Sequence, residues 1–312
     1  MPSLKELSKK KELLSGGQRL CAGCGASIIV RQILMAADDP LVISSATGCL
    51  EVATTIYPFT AWRTPFIHCA FENSASTLSG VEAAYRSLKR QGKIDKTIKF
   101  IAFGGDGGTY DIGLQALSGV MERGHNLLYV CYDNQAYMNT GIQRSSATPE
   151  GAATTTSPVG KAIPEGKERP RKDLTQIIVA HGSPYVAQAN PAYYNDLIKK
   201  VQKALNTEGP TFLNILSPCP RGWRYDSSQS IQIAKLAVLT GAWPLYEVEN
   251  GNYRITYRPK KRRSFREWLE SQGRFKHLLS EENKEVVERL GREVEEKEKK
   301  LLALAGETPS ST

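Results

Sequence analysis

A regular alternation of short apolar segments with segments of helical periodicity is the feature that most constrains how this chain can fold. Residues 41–44, 98–103 and 127–132 are apolar runs of strand length. A helical pattern precedes the first run, and another, with apolar residues at 114, 117, 120 and 121, separates the second from the third. Strands that alternate with helices of this length predict an α/β fold with a doubly wound, mostly parallel sheet. Such sheets bind ligands in the loops at the carboxyl ends of their strands.

The alternation continues through the second half of the chain and then changes character. Helical patterns at 174–180 and 197–205 alternate with strand patterns at 185–187 and 212–216. Residues 145–171 are polar and too many for an ordinary connection, so we expect an active-site loop or a docking segment there.

The pattern after about residue 235 predicts a separate C-terminal arm. Asn250-Gly251 lies between alternating residues at 246–255, which predicts a β-hairpin. A charged helix is predicted from about 280 to 305. We therefore divide the chain into a main domain, residues 1–235, and a hairpin and helical arm, residues 236–312, that packs on partner subunits.

The composition excludes several classes of protein. Of the 312 residues, 40% are hydrophobic and 23% are charged, which is typical of a globular protein and not of a disordered or collagen-like chain. No apolar run approaches the roughly 18 residues that a membrane span requires. The N-terminal residues lack the apolar core of a secretory signal. We therefore expect a cytoplasmic protein that does not bind membranes.

The net charge of +9 indicates an acidic partner. Much of the excess forms one cluster, made up of Arg258, Lys260, Lys261, Arg262, Arg263 and Arg266. A solvated basic face is the ordinary interpretation of such a cluster. Because no nucleic-acid-binding motif accompanies it, we expect a sister subunit or a small acidic electron carrier as partner, and no nucleic acid.

The segment Gly104-Gly105-Asp106-Gly107-Gly108 follows a predicted strand and precedes a predicted helix. Glycines allow the backbone to approach a phosphate closely, and the N–H groups at a helix N-terminus favour an anion. A carboxylate among them indicates Mg²⁺, which bridges protein oxygens and a diphosphate.

Gly-Asp-Gly alone is a weak signal, because a tight turn has the same composition. Asn134, however, stands at the end of the next predicted strand. If the two strands are adjacent, their loops lie side by side, and Asp106, the Asn134 side chain and a nearby carbonyl can share one octahedral ion. The pair therefore predicts a magnesium and diphosphate site.

Four of the six cysteines form a candidate metal constellation. In a reducing compartment we expect metal ligands, catalytic thiols or core residues and no disulfides. Cys21 and Cys24 form a C-x-x-C, which fits a redox dithiol, half of a zinc site or part of an iron–sulfur site. Cys49 and Cys219 each follow a predicted strand, where parallel sheets build their sites. The residues alone leave these three alternatives open.

The other two cysteines are expected to pack in the core. Cys131 lies inside an apolar strand, and Cys69 lies in the segment Ile67-His68-Cys69-Ala70. Free cysteine is among the residue types most often buried, and it behaves there as a small apolar residue.

Several motifs together resemble a known family. Gly105-Asp106-Gly107 followed by Asp133-Asn134 is similar to the thiamine-diphosphate fingerprint. The wider sequence resembles the β subunits of the 2-oxoacid:ferredoxin oxidoreductases, and pyruvate:ferredoxin oxidoreductase most closely. The resemblance covers nearly the whole chain, including TGCLE at 47–51, IYPFTAW at 56–62, AFENSAST at 70–77, SPCPRGW at 217–223 and WPLYEVENGNYR at 243–254.

The resemblance implies that residues 1–235 bind thiamine diphosphate, Mg²⁺ and one [4Fe–4S] cluster. The magnesium ligands implied are Asp106, Asn134 and the Ala136 carbonyl. The residues implied to border the cofactor are Gly105, Gly107, Thr140 and Cys49. Asn139 matches the family's active-site asparagine, beside the thiazolium and the substrate carbonyl, although a turn residue at Asn139 and a cap at Thr140 are the alternatives. The cluster ligands implied are Cys21, Cys24, Cys49 and Cys219.

The activity implied is the coenzyme A-dependent oxidative decarboxylation of a 2-oxoacid, most closely pyruvate, to acetyl-CoA and CO₂. Electrons leave singly through the cluster to ferredoxin. The partners implied are the other subunits of α, γ and δ type, including a ferredoxin-like subunit and one that supplies the carboxylate for the aminopyrimidine. The chain is therefore expected to be inactive alone, with Glu51 and Glu72 as ordinary polar positions near the site.

Two alternatives to a pyruvate enzyme remain from the sequence. The first is a sister enzyme for 2-oxoisovalerate, an aromatic 2-oxoacid or oxalate, since a partner subunit of this family largely selects the substrate. The second is a non-catalytic iron–sulfur or zinc scaffold that assembles an electron-transfer complex.

Overall fold

The computed structural model describes residues 4–307 and places eight strands in one sheet. The strands are β1 (Leu41–Ala46), β2 (Phe66–Cys69), β3 (Lys99–Gly105), β4 (Leu128–Asp133), β5 (Tyr185–Ala189), β6 (Thr211–Leu216), β7 (Leu245–Glu249) and β8 (Asn252–Tyr257). Their order across the sheet is β2-β1-β3-β4-β6-β5-β7-β8. All pairs from β2 to β5 are parallel, whereas β7 and β8 add antiparallel strands at the edge. The predicted α/β fold with a mostly parallel sheet is confirmed.

The described residues also contain eleven α-helices and a few shorter turns of helix. The α-helices are α1 (Leu4–Leu7), α2 (Gly25–Ala36), α3 (Cys49–Thr54), α4 (Ser74–Arg90), α5 (Leu114–Arg123), α6 (Leu174–Ala180), α7 (Tyr194–Asn206), α8 (Pro220–Trp223), α9 (Ser230–Leu239), α10 (Phe265–Glu270) and α11 (Lys284–Leu304). A π-helical segment, Gly107–Ile112, precedes α5, and 3₁₀ turns lie at Ser227–Gln229, Gly273–Leu279 and Glu281–Asn283. Within residues 4–307, none of these helices has the length and apolar character needed to cross a bilayer.

Helices bury both faces of the sheet, which explains why its strands are continuous apolar runs. Along β3, Ile101 and Phe103 pack in one cluster with residues of α2 and α7. The alternate residues Phe100 and Ala102 pack in a second cluster with residues of α4, α5 and α6. Successive side chains of a strand point to opposite faces, so both sets must be apolar. Burying each large side chain contributes about 1.5–3 kcal/mol relative to its exposed state.

The C-terminal segment builds a third apolar cluster beside the sheet. Trp223, Trp243, Trp268 and Phe275 form the centre of this cluster, and all four are buried. The predicted hairpin is present as β7 and β8, joined through two left-handed residues, 250 and 251. Its strand β7 pairs with β5, so the hairpin is the edge of the main sheet. Position 235 lies within α9; the role of residues 236–312 in subunit packing stays a prediction.

The long polar segment 145–171 lies against this C-terminal segment. The Arg289 guanidinium in α11 pairs with Glu150 at 2.5 Å and with Glu165 at 3.4 Å. The buried Lys167 ammonium donates to the carbonyls of Thr148 and, at 3.3 Å, Pro170. The segment is therefore anchored within the chain and does not project from it.

Candidate functional site

Two loops meet where β3 and β4 end. The strands are neighbours, with Gly105 opposite Tyr132 in the parallel register. The Gly-Asp-Gly loop therefore lies directly beside the Asp133-Asn134 loop, as the sequence predicts. The backbone N–H of Asn134 donates to Asp106 Oδ1 at 3.2 Å.

Asp106 is a fully buried carboxylate held by neutral donors. Its Oδ1 also accepts from the Gln135 N–H at 3.1 Å, and its Oδ2 accepts from the Ser145 hydroxyl at 2.5 Å. The neighbouring Asp133 is also buried and pairs with Arg171 at 2.6 Å. Burial, followed by the nearby Asp133 carboxylate, raises the pKa of Asp106 well above its ordinary value. A buried carboxylate in this position is stabilised by a cation.

The arrangement of oxygens beside Asp106 fits Mg²⁺. One atom of the Asn134 side-chain amide lies 2.8 Å from Asp106 Oδ1 and 2.8 Å from the Ala136 carbonyl oxygen. With nitrogen at that position, the amide donates to both oxygens. With oxygen there, three oxygen ligands converge from one side, as in the coordination of Mg²⁺ by protein carboxylates and carbonyls. The three predicted ligands are therefore in mutual contact.

The predicted cofactor residues all line one small cleft of about 30 Å³. These are Cys49, Gly105, Asp106, Gly107, Asn134, Ala136, Asn139 and Thr140. A Cβ atom on Gly107 would lie 2.5 Å from the Tyr137 ring, so a glycine is required for this ring to pack on the loop. The structure thus brings together every residue of the set, while their roles in binding and catalysis stay predictions.

Asn139 and Thr140 lie on the exposed side of the cleft, in a short turned loop. The loop is closed by the Tyr137 N–H, which donates to the Gln143 carbonyl at 2.9 Å. The Thr140 hydroxyl donates to Gln143 Oε1 at 2.5 Å. Asn139 is therefore presented at the opening by a loop that is held by its own hydrogen bonds and by Thr155, which donates to the Gly141 and Ile142 carbonyls.

The four candidate cluster cysteines come from three distant segments. Cys24 directly precedes α2, and the N–H of the next residue, Gly25, donates to the Pro218 carbonyl at 3.0 Å. That contact joins the C-x-x-C loop to the segment of Cys219. The Cys219 sulfur caps α8 by accepting from the Gly222 N–H at 3.4 Å.

Electrostatics places the four thiols in one neighbourhood. The pKa of Cys24 is raised to about 11 and that of Cys49 to about 12, mainly by burial and in part by the other cysteines of the set. Burial also raises the pKa of Cys219, and Cys21 adds to the rise. Within residues 4–307, no three His, Cys, Asp or Glu side chains are close enough to ligate a single ion. A [4Fe–4S] cube takes its thiolates at four separate irons, so its ligands stand farther apart.

The remaining two cysteines are buried in the sheet region, as expected. Cys131 is fully buried, and Cys69 is 5% exposed. Burial raises the pKa of both thiols. Neither thiol lines the cleft.

The cleft and the cysteine group adjoin. The Trp223 indole, at the end of α8, donates to the Asn134 carbonyl at 2.7 Å. Tyr132 lies between the two groups, because a Cβ on Gly48 would lie 2.9 Å from its hydroxyl and a Cβ on Gly105 would lie 3.3 Å from its ring. The buried Tyr132 ring thus lies between Gly48, which precedes Cys49, and Gly105, which precedes Asp106.

Sequence reasoning missed the buried network that supports the cleft. Asp133 Oδ2 accepts from the Tyr110 hydroxyl at 2.7 Å as well as from Arg171. The one sequence signal for this network was the position of Asp133, directly before Asn134. Glu51 was expected to be an ordinary polar position, but it is only 5% exposed and lies 3.4 Å from His68. Its place in the first turn of α3 explains this burial.

Comparison with known proteins agrees with the geometry. Residues 46–215 match the family described as thiamine pyrophosphate enzyme, C-terminal TPP binding domain. The chain is 56% identical to the pyruvate synthase subunit PorB of Methanocaldococcus jannaschii, over 94% of this chain and 97% of that protein. It is 53% identical to PorB of Thermotoga maritima, over 96% and 94% of the two chains.

More distant relatives share the same architecture. The chain is 43% identical to the ketoisovalerate oxidoreductase subunit VorB of Pyrococcus abyssi, over 95% of each protein. A solved 2-oxoglutarate:ferredoxin oxidoreductase from Magnetococcus marinus superposes with a TM-score of 0.54 at 19% identity, over 71% of this chain and 79% of that one, which shows a shared fold. The chain therefore belongs to the thiamine pyrophosphate enzymes, as a subunit of the thiamine-diphosphate-dependent 2-oxoacid:ferredoxin oxidoreductases.

Proposed function

We propose that this chain is the β subunit of a pyruvate:ferredoxin oxidoreductase. The complex would convert pyruvate and coenzyme A to acetyl-CoA and CO₂ and pass electrons singly to ferredoxin. The observation that carries the choice of pyruvate is the 56% identity to a pyruvate synthase subunit along nearly its whole length, against 43% to a ketoisovalerate subunit.

The diphosphate half of the cofactor site is assigned to the cleft at the ends of β3 and β4. Asp106, Asn134 and the Ala136 carbonyl would hold Mg²⁺, and the backbone at Gly105 and Gly107 would border the diphosphate. Bound thiamine diphosphate would supply the carbon nucleophile and the electron sink for decarboxylation. This chain's residues would fix its position, because the Asp106 carboxylate is held by the backbone N–H groups of Asn134 and Gln135, and the Asn134 backbone carbonyl is held by the Trp223 indole.

Asn139 is assigned to the substrate side of the cleft. Its amide can donate a hydrogen bond and accept another, which suits a group that orients a carbonyl and stabilises the negative charge that develops on its oxygen. Its exposed position on this hydrogen-bonded loop leaves the side chain available for this contact.

Cys21, Cys24, Cys49 and Cys219 are proposed to hold one [4Fe–4S] cluster. The cluster would accept electrons one at a time beside the thiamine site. Cys49 supports this arrangement, since it belongs to the cysteine group and also lines the cleft. A buried path through Tyr132 joins the two.

The chain would supply one half of the active site, and a partner subunit the other. No glutamate is found among the described residues that line the cleft. Activation of the aminopyrimidine, however, requires a carboxylate. The predicted partners are therefore the pyrimidine-binding subunit, a ferredoxin-like subunit, and ferredoxin as the final acceptor.

The test is an anaerobic purification of the assembled complex, with measurement of iron, thiamine diphosphate and Mg²⁺. A panel of 2-oxoacids is then assayed with coenzyme A and ferredoxin or a viologen as acceptor. We expect about four irons and one thiamine diphosphate per copy of this chain, and a kcat/KM for pyruvate above that for 2-oxoisovalerate, an aromatic 2-oxoacid and oxalate. Preference for 2-oxoisovalerate would establish the sister enzyme, and zinc in place of iron would exclude the cluster.

A further inference from the structure

Arg274 is a buried guanidinium that has no carboxylate partner. It lies in the 3₁₀ turn Gly273–Leu279 and is only 2% exposed. Its Nη2 donates to Gln135 Oε1 at 2.5 Å and to Gln272 Oε1 at 2.6 Å, and its Nε donates to the same Gln272 oxygen at 2.9 Å. These acceptors are neutral amides. Among residues 4–307, Arg274 forms no ion pair.

The packing fixes this charge beside the cysteine group. The guanidinium carbon lies 4.2 Å from the centre of the Trp223 ring, which stands at the end of the short helix α8 that Cys219 caps. The backbone on both sides is anchored, because the Gly273 N–H donates to the Arg224 carbonyl at 3.2 Å and the Arg274 carbonyl accepts from Ala153. The charge therefore cannot turn toward solvent.

Three titratable acidic groups lie near Arg274, namely Cys219, Asp133 and Tyr225. Burial lowers the pKa of Arg274 to about 9, and the first of the groups that raise it again is the Cys219 sulfur, ahead of Asp133. Asp133 is already paired with Arg171. A buried cation without a counter-charge is costly. Cys219, which caps the helix whose Trp223 packs on the guanidinium, offers a counter-charge once it binds a metal as a thiolate.

We propose that Arg274 is the buried counter-charge of the iron–sulfur cluster and that it raises the cluster's reduction potential. This inference rests on the proposed cluster. Four thiolates give a [4Fe–4S] cube a net negative charge, and reduction adds one more. A fixed cation beside Cys219 stabilises the reduced form more than the oxidised form, because buried charges interact strongly in a medium of low dielectric constant. The C-terminal segment thus tunes an electron-transfer centre whose ligands all lie outside it.

The test is a redox titration of the anaerobic complex, followed by the EPR signal of the reduced cluster. Arg274→Met removes the charge and keeps an unbranched apolar side chain, while Arg274→Lys keeps the charge. Arg266→Met, in the same segment but exposed and paired only with Glu270, is the matched control. We expect Arg274→Met to reduce the equilibrium constant for one-electron reduction about tenfold, which is 59 mV. Arg274→Lys should change it less than threefold, and Arg266→Met should leave it unchanged.

A second measurement separates the charge from packing. Unfolding of the wild-type and Arg274→Met complexes is compared before and after removal of iron. We expect the substitution to destabilise the loaded complex and to stabilise the iron-free one. If the loss is equal in both states, Arg274 is only a packing residue and the inference is wrong. Where Arg274→Met does not assemble, Arg274→Gln takes its place in both measurements.

The outcomes distinguish the inference from the function on which it rests. A wild-type complex without iron overturns the proposed cluster, and the inference with it. A loaded complex whose reduction equilibrium is the same in wild type and Arg274→Met overturns the inference alone.

Discussion

At the scale of single residues, the cleft contains two buried carboxylates with different partners. Asp133 has the Arg171 guanidinium, whereas Asp106 has only N–H and O–H donors. Because its pKa is raised, Asp106 binds a proton in the folded chain at pH values where the unfolded chain has released it. The stability that this proton contributes is fully present below about pH 3.8, the ordinary pKa of an aspartate. It is lost as the pH rises through the pKa of Asp106 in the folded chain. At neutral pH, where the unfolded chain has released this proton, the buried Asp106 therefore opposes folding until a cation binds.

Asp106→Asn should therefore separate stability from cofactor binding. Because it removes an uncompensated buried charge, we expect the metal-free protein to gain about 0.5–2 kcal/mol in free energy of unfolding at pH 7. Thiamine diphosphate and Mg²⁺ binding should be lost, and with it the turnover of the complex. Denaturant unfolding and calorimetric titration measure the two effects. The substitution Asp95→Asn, at an exposed position, serves as control. A lower free energy of unfolding in Asp106→Asn would show that the buried carboxylate does not oppose folding.

The thiols of the cysteine group should make cluster assembly depend on pH. The raised pKa values of Cys24 and Cys49, about 11 and about 12, leave both protonated at pH 7 in the iron-free chain. Metal binding requires thiolates and releases these protons. We expect reconstitution with iron and sulfide to proceed faster at pH 8.5 than at pH 7, as followed by the rise in visible absorbance. A rate that does not change with pH would mean that thiol deprotonation does not limit assembly.

At the scale of elements, the short helix α8 connects the two halves of the site. Cys219 caps its start, and Trp223 at its end donates to the Asn134 carbonyl. A helix of one turn has little stability of its own, so its position depends on these contacts and on the Trp223 side chain packed at 5.6 Å from Trp268.

Trp223→Phe should weaken the connection between the cleft and the cysteine group. The substitution leaves the buried Asn134 carbonyl without its indole donor, which costs about 1–3 kcal/mol in free energy of unfolding. We also expect weaker Mg²⁺ and thiamine diphosphate binding. Trp62→Phe is the matched control, because it removes a similar buried hydrogen bond, to Thr54 at 2.9 Å, away from Asn134. Equal loss of cofactor affinity in both variants would contradict the proposed coupling.

Sequence reasoning predicted the elements and residues that are marked by a pattern within a short stretch of the chain. Asp106 and Asn134 stand at the ends of apolar strands, and the strands proved to be adjacent. Ser145 lies in segment 145–171, for which an active-site loop was one of two expectations, but its contact with Asp106, 39 positions away, has no sequence signal. Arg274 could not be predicted, because it reaches Gln135 across 139 positions, through backbone without periodicity. The strand Phe66–Cys69 was missed because four residues, of which only Cys69 is buried, carry too little pattern.

At the scale of the whole molecule, the sheet supports the proposal that the chain forms half of an active site. The cleft opens at the ends of β3 and β4, in the middle of the sheet, and Asn139 and Thr140 at its rim are exposed. The neighbouring loop after α3 exposes two aromatic side chains, Tyr57 at 93% and Phe59 at 76%. An open rim and exposed aromatic residues are typical of a surface that another protein covers.

The isolated chain should therefore bind iron but not turn over substrate. Purified alone under anaerobic conditions, it should contain about four irons and show at most about 1% of the pyruvate oxidation rate of the complex, since in the proposed function a partner would supply the carboxylate for the aminopyrimidine. Adding the pyrimidine-binding subunit should restore thiamine binding, and the complete set of subunits should restore turnover. Substantial activity in the isolated chain would mean that Glu51 or another of its own carboxylates performs this role.

The contact between the two ends of the main domain has a consequence for how the protein is made in the cell. The Ser230 hydroxyl donates to the Gly23 carbonyl across 207 positions of sequence, beside the bond from Gly25 to Pro218. During synthesis, the loop with Cys21 and Cys24 leaves the ribosome long before Cys219 does. The proposed cluster can be completed only after most of the sheet has been translated. Iron loading would thus be confined to chains that extend beyond Cys219, and a product truncated before Cys219 would remain colourless.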